Sequence, residues 1–183
     1  MAKFFTLFVV ILVSLFAAEL TPAVQSAVVI PWTEALVRIS AGLITMLDSH
    51  VAVFSKILQS TRNGFAISIE AGCNGIEAAI ILIAAMLAFP APWKHRVIGI
   101  LVGLIAVQTL NVLRVISLFY LGQWSVKAFE WAHLYLWQAL IMFDVLIVWL
   151  IWIRALPRTT TRMISPLAPP ATGEAGGVEA LTS

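Results

Sequence analysis

Three residues of this 183-residue chain, Cys73, Arg114 and His133, are the types that together can break and remake an acyl bond. A thiolate attacks carbonyl carbon, and a histidine titrating near neutral pH can take the thiol proton. A guanidinium offers a planar fork of donors to an oxyanion or a substrate carbonyl. Cys73 stands in Ala71-Gly72-Cys73-Asn74-Gly75, where a strand-like run gives way to an apolar helix. The glycines allow a tight turn and close approach of a substrate backbone. Free amides at a helix start lower a thiol pKa and can stabilise a tetrahedral oxyanion. Taken alone, a cysteine is more readily read as a small buried hydrophobe; the flanking glycines and the boundary position bring the two readings nearer level. As the sole cysteine it forms no internal disulfide and no multi-cysteine metal site. The chemistry needs neither a metal nor an organic cofactor.

Three further residues are candidate supports. Glu77, four residues after Cys73, shares its helix face and is suited to orient His133 or Arg114 as the third member of a triad. The plainer reading is a structural Arg114–Glu77 ion pair, since charges inside a membrane usually pair. Asp144 is a second potential partner, set deeper. Asn74 and Asn111 can supply donors to the same cavity, and Gln108 completes the short set of polar groups within the spans. His50 competes with His133 for the role of base, whereas His95 falls on the opposite side of the membrane.

The elements that must position these groups follow from composition. Hydrophobic residues make up 61% of the chain and charged residues 11%, and the mean hydropathy is +1.00. Soluble domains average roughly 45–50% apolar and about 25% charged, so most of this chain faces lipid or other membrane helices. A net charge of +2 is too small to imply nucleic acid. Four stretches approach the ~20 apolar residues of a spanning helix: residues 4–20, 74–89, 97–121 and 134–153. Lys3 precedes the first, Lys94 and Arg96 lie between the second and third, and Arg154, Arg158 and Arg162 follow the fourth. Simple alternation puts all of these on one side, which the positive-inside rule makes cytoplasmic, together with both termini. The tryptophans agree: Trp32, Trp124, Trp131 and Trp137 fall at the outer interface, and Trp93, Trp149 and Trp152 at the inner. The first span could be a cleaved signal peptide, but no small-x-small site follows it and a retained helix is the better reading.

This topology brings Cys73, Arg114 and His133 to one depth at the outer face. Between the first two spans, the outer segment 21–72 has structure of its own. Trp32, Leu36, Ile39, Leu43 and Met46 recur at helical spacing, so Pro31–Leu47 reads as an amphipathic helix on the membrane or on the bundle. Val51–Leu58 and Phe65–Glu70, with a turn ending in Asn63-Gly64, read as a β-hairpin. Residues 157–183, rich in Thr, Pro, Gly and Ala, read as a disordered cytoplasmic tail. The expectation is an all-α polytopic membrane protein of about four spans. Its single domain covers residues 1–156, with the amphipathic helix and hairpin outside the cytoplasm.

The runs Gly72-Cys73-Asn74-Gly75-Ile76-Glu77 and Asn111-Val112-Leu113-Arg114-Val115-Ile116, with His133 heading the last span, resemble the exosortase/archaeosortase family. More narrowly they resemble its short exosortase H type. The resemblance runs from about Gly64 to Arg154. It implies a multi-pass enzyme of the bacterial inner membrane, a cysteine protease or transpeptidase whose active site faces the periplasm. Its partners would be exported proteins carrying a C-terminal signal made of a short motif, a hydrophobic helix and a basic tail. Carried onto this sequence, Cys73 matches the nucleophile, Arg114 the family arginine and His133 the third catalytic residue. Many members are larger, and the residues after His133, Leu-Tyr-Leu-Trp-Gln, lack a glycine common among them.

Two other readings use the same residues. A membrane scaffold or assembly subunit would need Arg114 only for its pairing with Glu77. A small transporter or channel subunit would need polar groups continuing to the cytoplasmic side, where the span halves are nearly all apolar except for Asp144.

Overall fold

The computed structural model describes residues 2–156, so the proposed tail at 157–183 lies outside the described residues. Mostly helical, the chain carries one small antiparallel sheet. Its helices are α1 (Ala2–Glu19), α2 (Pro22–Thr45), α3 (Ile76–Ala88), α4 (Trp93–Trp124) and α5 (Val126–Arg154). Strands β1 (Val51–Phe54), β2 (Ile57–Ser60) and β3 (Ala66–Ser68) lie between α2 and α3. Among the described residues, α1, α2, α4 and α5 are long and apolar enough to cross a membrane. The chain is a multi-pass membrane protein.

The spans differ in detail from those expected. The stretch 74–89 forms a helix of only 13 residues, because Gly75 adopts φ +77 and delays the helix start to Ile76. By contrast 97–121 lies within a helix of 32 residues, and 134–153 is the C-terminal part of one of 29 residues. The longer of the two starts before the apolar stretch, with the good helix formers Lys94 and Arg96 in its first turn. The helix expected at Pro31–Leu47 begins earlier, at Pro22, and continues through a wide π-helical turn at Gln25–Val29. The face it buries is also different. Thr33, Leu36, Val37, Ser40, Ala41 and Ile44 face the protein, while Ile39, Leu43 and Met46 are exposed. Small and hydroxylated side chains pack closely between helices, and lipid accommodates the bulky apolar ones.

Sheet order is β1-β2-β3. The single strand expected over Val51–Leu58 folds back at Ser55-Lys56, where Ser55 takes φ 53, and yields two strands paired Phe54↔Ile57. The expected turn at Asn63-Gly64 joins β2 to β3, with Gly64 at φ 74. Leu58, Ile67 and Ile69 bury one face of the sheet against Leu36, Val37 and Ile44 of α2 and Val115 and Phe119 of α4. The Phe65 ring lies so close to Gly122 that a Cβ there would sit 2.1 Å from it. The sheet is thereby pinned to the C-terminal end of α4.

The opposite end of the bundle is marked by other contacts. Phe4 meets Phe89 edge-on and stacks on Trp149, and the Trp152 indole N–H donates to the His95 carbonyl at 3.0 Å. Gly99 lets α4 approach the Trp152 ring, and Gly103 lets it approach Leu82 and Val148. Lys3, Lys94, Arg96 and Arg154 therefore collect at the end away from the sheet.

Candidate functional site

The loop from Glu70 to Gly75 is built by its own short-range bonds. Cys73 N–H donates to the Glu70 carbonyl at 3.0 Å, and Gly72, at φ +86, turns the chain. Gly72 N–H donates to Glu77 Oε1 at 2.5 Å. Asn74 closes an Asx turn by accepting from Ile76 N–H at 3.1 Å. Its amide donates to Thr33 Oγ1 at 3.1 Å, and its carbonyl accepts from Trp32 Nε1 at 3.2 Å. Helix α2 thus anchors the loop from behind. From α4, Gln108 Nε2 donates to the Gly75 carbonyl at 3.2 Å.

The loop carries Cys73, half-buried, to two side chains from distant sequence. Arg114 Nη2 lies 3.5 Å from Cys73 Sγ. His133 Nε2 lies 3.9 Å from the same sulfur. Arg114 is 3% exposed, and its only polar contact among the described side chains is this sulfur. His133 stands in a π-helical turn, Ala132–Leu136, within α5; such widened turns re-aim a side chain and recur at functional sites. Phe129, one turn earlier, stacks flat on its ring at 5.6 Å and 2°. A cavity of about 30 Å³ borders the three residues, lined also by Ile67, Ser68, Ile69 and Phe129. That volume holds about one water molecule.

Several expectations are corrected here. Cys73 does not open α3; it precedes the first helical residue by three positions. Its thiol pKa is raised, not lowered: burial dominates, nearby Arg114 offsets it in part, and Glu77 and Glu70 add to it. Glu77 forms no ion pair with Arg114 among the described residues; its carboxylate holds the loop through Gly72 instead. Asp144 makes no ion pair with Arg114 either, and its Oδ2 is buried without a partner among them. Asn74 and Asn111 stand behind the loop rather than in the cavity beside Cys73. Asn111 is fully buried with both amide atoms unpartnered, as is Gln108 Oε1. Both side chains press against Gly75, where an added Cβ would lie 2.9 Å from each. His50 bonds to Asp48 at 2.9 Å, and the histidine at the sulfur is His133.

Sequence reasoning missed Phe129, Thr33 and the anchoring role of Gln108. Phe129 was findable, because a residue four before His133 shares its helix face. Thr33 carried no signal, since nothing local says that α2 meets the loop.

Sets of His, Cys, Asp or Glu able to hold a metal ion are absent among the described residues. Comparison with curated proteins and with solved structures returned no match. The family profile described as transmembrane exosortase (Exosortase EpsH) matches residues 1–153. With five-sixths of its length matched, including the loop of Cys73 and the helices of Arg114 and His133, the chain belongs to the transmembrane exosortase family.

Proposed function

We propose that the chain is a membrane-embedded cysteine protease or transpeptidase that cleaves the C-terminal sorting signal of exported proteins. Family membership implies processing of sorting signals; the convergence of Arg114 Nη2 and His133 Nε2 on Cys73 Sγ, at 3.5 and 3.9 Å, supports the residue roles. Cys73 attacks the scissile carbonyl as His133 Nε2 takes the thiol proton, which requires the tautomer with hydrogen on Nδ1. Arg114 and nearby backbone N–H groups take up the developing oxyanion charge. Collapse breaks the C–N bond, His133 protonates the leaving amine, and a thioester remains on Cys73. Water or an acceptor amine then releases the acyl group. A neutral resting thiol fits this order, because His133 removes its proton only as the bond forms.

The active site is assigned to the periplasmic face of the bacterial inner membrane. Lys3, Lys94, Arg96 and Arg154 gather at the end opposite the Cys73 loop, and positive charge favours the cytoplasm. The scaffold reading loses its main support, since Arg114 and Glu77 do not pair.

The test is co-expression with an exported reporter that carries a tail of short motif, hydrophobic helix and basic end, taken from the same proteome. Wild-type chain should shorten the reporter, and Cys73→Ser, present at equal level in the membrane, should not. Equal processing by both would sink the thiol mechanism.

A further inference from the structure

Strand β3 ends two residues before Glu70 and leads directly into the Cys73 loop. It is one of the two outer strands, since the order is β1-β2-β3. The ladder fixes which of its backbone groups are used. Ser60 N–H donates to the Phe65 carbonyl at 2.8 Å and Ile69 N–H to the Lys56 carbonyl at 3.0 Å, and Leu58 stands opposite Ile67. In an antiparallel pair, alternate residues point both polar groups at the partner. Phe65, Ile67 and Ile69 therefore face β2, and Ala66 and Ser68 direct their N–H and C=O off the free edge. Both residues are exposed, and Ser68 lines the cavity shared by Cys73, Arg114 and His133.

Proteins blunt free edges with proline, bulges or inward-pointing charge. β3 is short, at three residues, but the run Phe65–Ile69 carries no proline and no charge. The other outer strand, β1, has half-buried Val51 and Val53 packed against the core under the sheet. Of the two outer strands, β3 is the one beside the thiol.

We infer that the free edge of β3 receives the substrate as an added β-strand, laying the extended segment ahead of its membrane helix along Ala66–Ser68 so that its scissile bond reaches Cys73; the one-water cavity beside the thiol must widen to admit it. This rests on the reading of Cys73 as nucleophile. Backbone pairing supplies affinity with little demand on side chains, and alternate side chains supply selectivity. Direction follows from the fold. Phe65 lies over Gly122 at the end of α4, and Cys73 lies at Arg114, two turns further along that helix toward the basic end. β3 therefore descends toward the bilayer. A substrate with an exported body and a following membrane helix descends likewise, so the added strand is parallel to β3.

The test uses the full-length chain in native membranes and the tailed reporter that wild type processes. In Cys73→Ser with Ser68→Cys, single cysteines are walked through eight consecutive reporter positions ahead of its hydrophobic helix. Disulfides should form at alternate positions, because side chains of a strand alternate in face. Moving the enzyme cysteine to Ala66→Cys should shift the bridged set two residues toward the reporter's N-terminus. Ser68→Pro, which removes the outward N–H together with the hydroxyl bond to Glu70 Oε1, should cut processing about tenfold, and Ser68→Ala, which loses the hydroxyl alone, should cost clearly less. Val51→Pro, at the first residue of β1, should keep it. Bridges with a helical three-to-four residue period, a shift toward the reporter's C-terminus, or Ser68→Cys pairs joining two enzyme copies in place of the reporter would each overturn the inference. Wild-type processing by Ser68→Pro would do the same. If Cys73→Ser still processes the reporter, the nucleophile reading has failed; if only Cys73→Ser abolishes processing, the edge-strand inference alone has failed. Should Ser68→Pro not reach the membrane, the cysteine walk decides.

Discussion

Gly72 and Gly75 flank the thiol by one and two residues, and both hold positive φ, +86 and +77. Replacing either with alanine forces a side chain into the left-handed region, at roughly 1–2 kcal/mol. The surroundings then separate them. A Cβ at Gly72 meets nothing within 4 Å, whereas one at Gly75 comes within 2.9 Å of Gln108 Oε1 and Asn111 Nδ2 and 3.1 Å of Asn111 Cγ. Asn111 is fully buried and cannot swing away freely. Moving Gln108 also breaks its bond to the Gly75 carbonyl. Overpacking of this kind costs about 1–3 kcal/mol, and at ~2–4 °C per kcal/mol for a chain of this size the gap is roughly 2–12 °C. Thermal unfolding of purified Gly72→Ala and Gly75→Ala in detergent measures it, with reporter processing read in parallel. Gly75→Ala should be the less stable and the less active, and adding Asn111→Ala should recover part of the gap. Equal midpoints, or no recovery in the double variant, would refute the reasoning.

Arg114→Lys keeps a charge but loses the planar fork, so reporter processing should fall about 10²-fold or more at unchanged membrane level; a loss of protein in place of rate would mean a structural arginine. An ordinary thiol is a few per cent thiolate at pH 7, and Cys73 should be less, because burial raises its pKa. Its alkylation by a small membrane-permeant reagent should keep rising beyond the pH where an ordinary thiol levels off. Arg114→Gln removes a lowering influence and should move that plateau to higher pH, and Glu77→Gln removes a raising one and should move it lower. Gly122→Ala puts a methyl 2.1 Å from the Phe65 ring and should cost roughly 1–3 kcal/mol by thermal unfolding, partly recovered with Phe65→Leu.

How much of this was legible in the sequence depended on which physical signal each feature left. The helices α1, α4 and α5 announced themselves by apolar length. The turn at Asn63-Gly64 was legible because glycine takes positive φ without strain. The turn at Ser55-Lys56 was not, because Ser55 reaches φ 53 with no glycine to mark it. Helix α2 was misread in its buried face, since periodicity reports where bulky apolar residues recur but not whether lipid or protein receives them. The delayed start of α3 was hidden in Asn74-Gly75: the Asx turn and the left-handed glycine hold Cys73 in a loop, where a hydropathy window sees one continuous span.

The meeting of Cys73, Arg114 and His133 was legible for a different reason. A bilayer fixes depth, so a residue's distance from the end of its span becomes its height in the molecule. Positions 41 and 60 residues from Cys73 could then be matched by counting. Height is one coordinate only. Lateral position comes from side-chain packing, and there the counting failed. Asn111, one turn from Arg114 at nearly the same height, packs behind the loop against Gly75 instead of beside the thiol. Glu77 turns to Gly72 and not to Arg114. The left-handed Gly75 accounts for the first outcome, and the turn at Gly72, φ +86, presents the N–H that Glu77 accepts from. Gly75 lets the loop lie flat on Gln108 and Asn111 and holds Cys73 clear of the helix. That placement leaves Arg114 and His133 as the polar side chains that reach its sulfur.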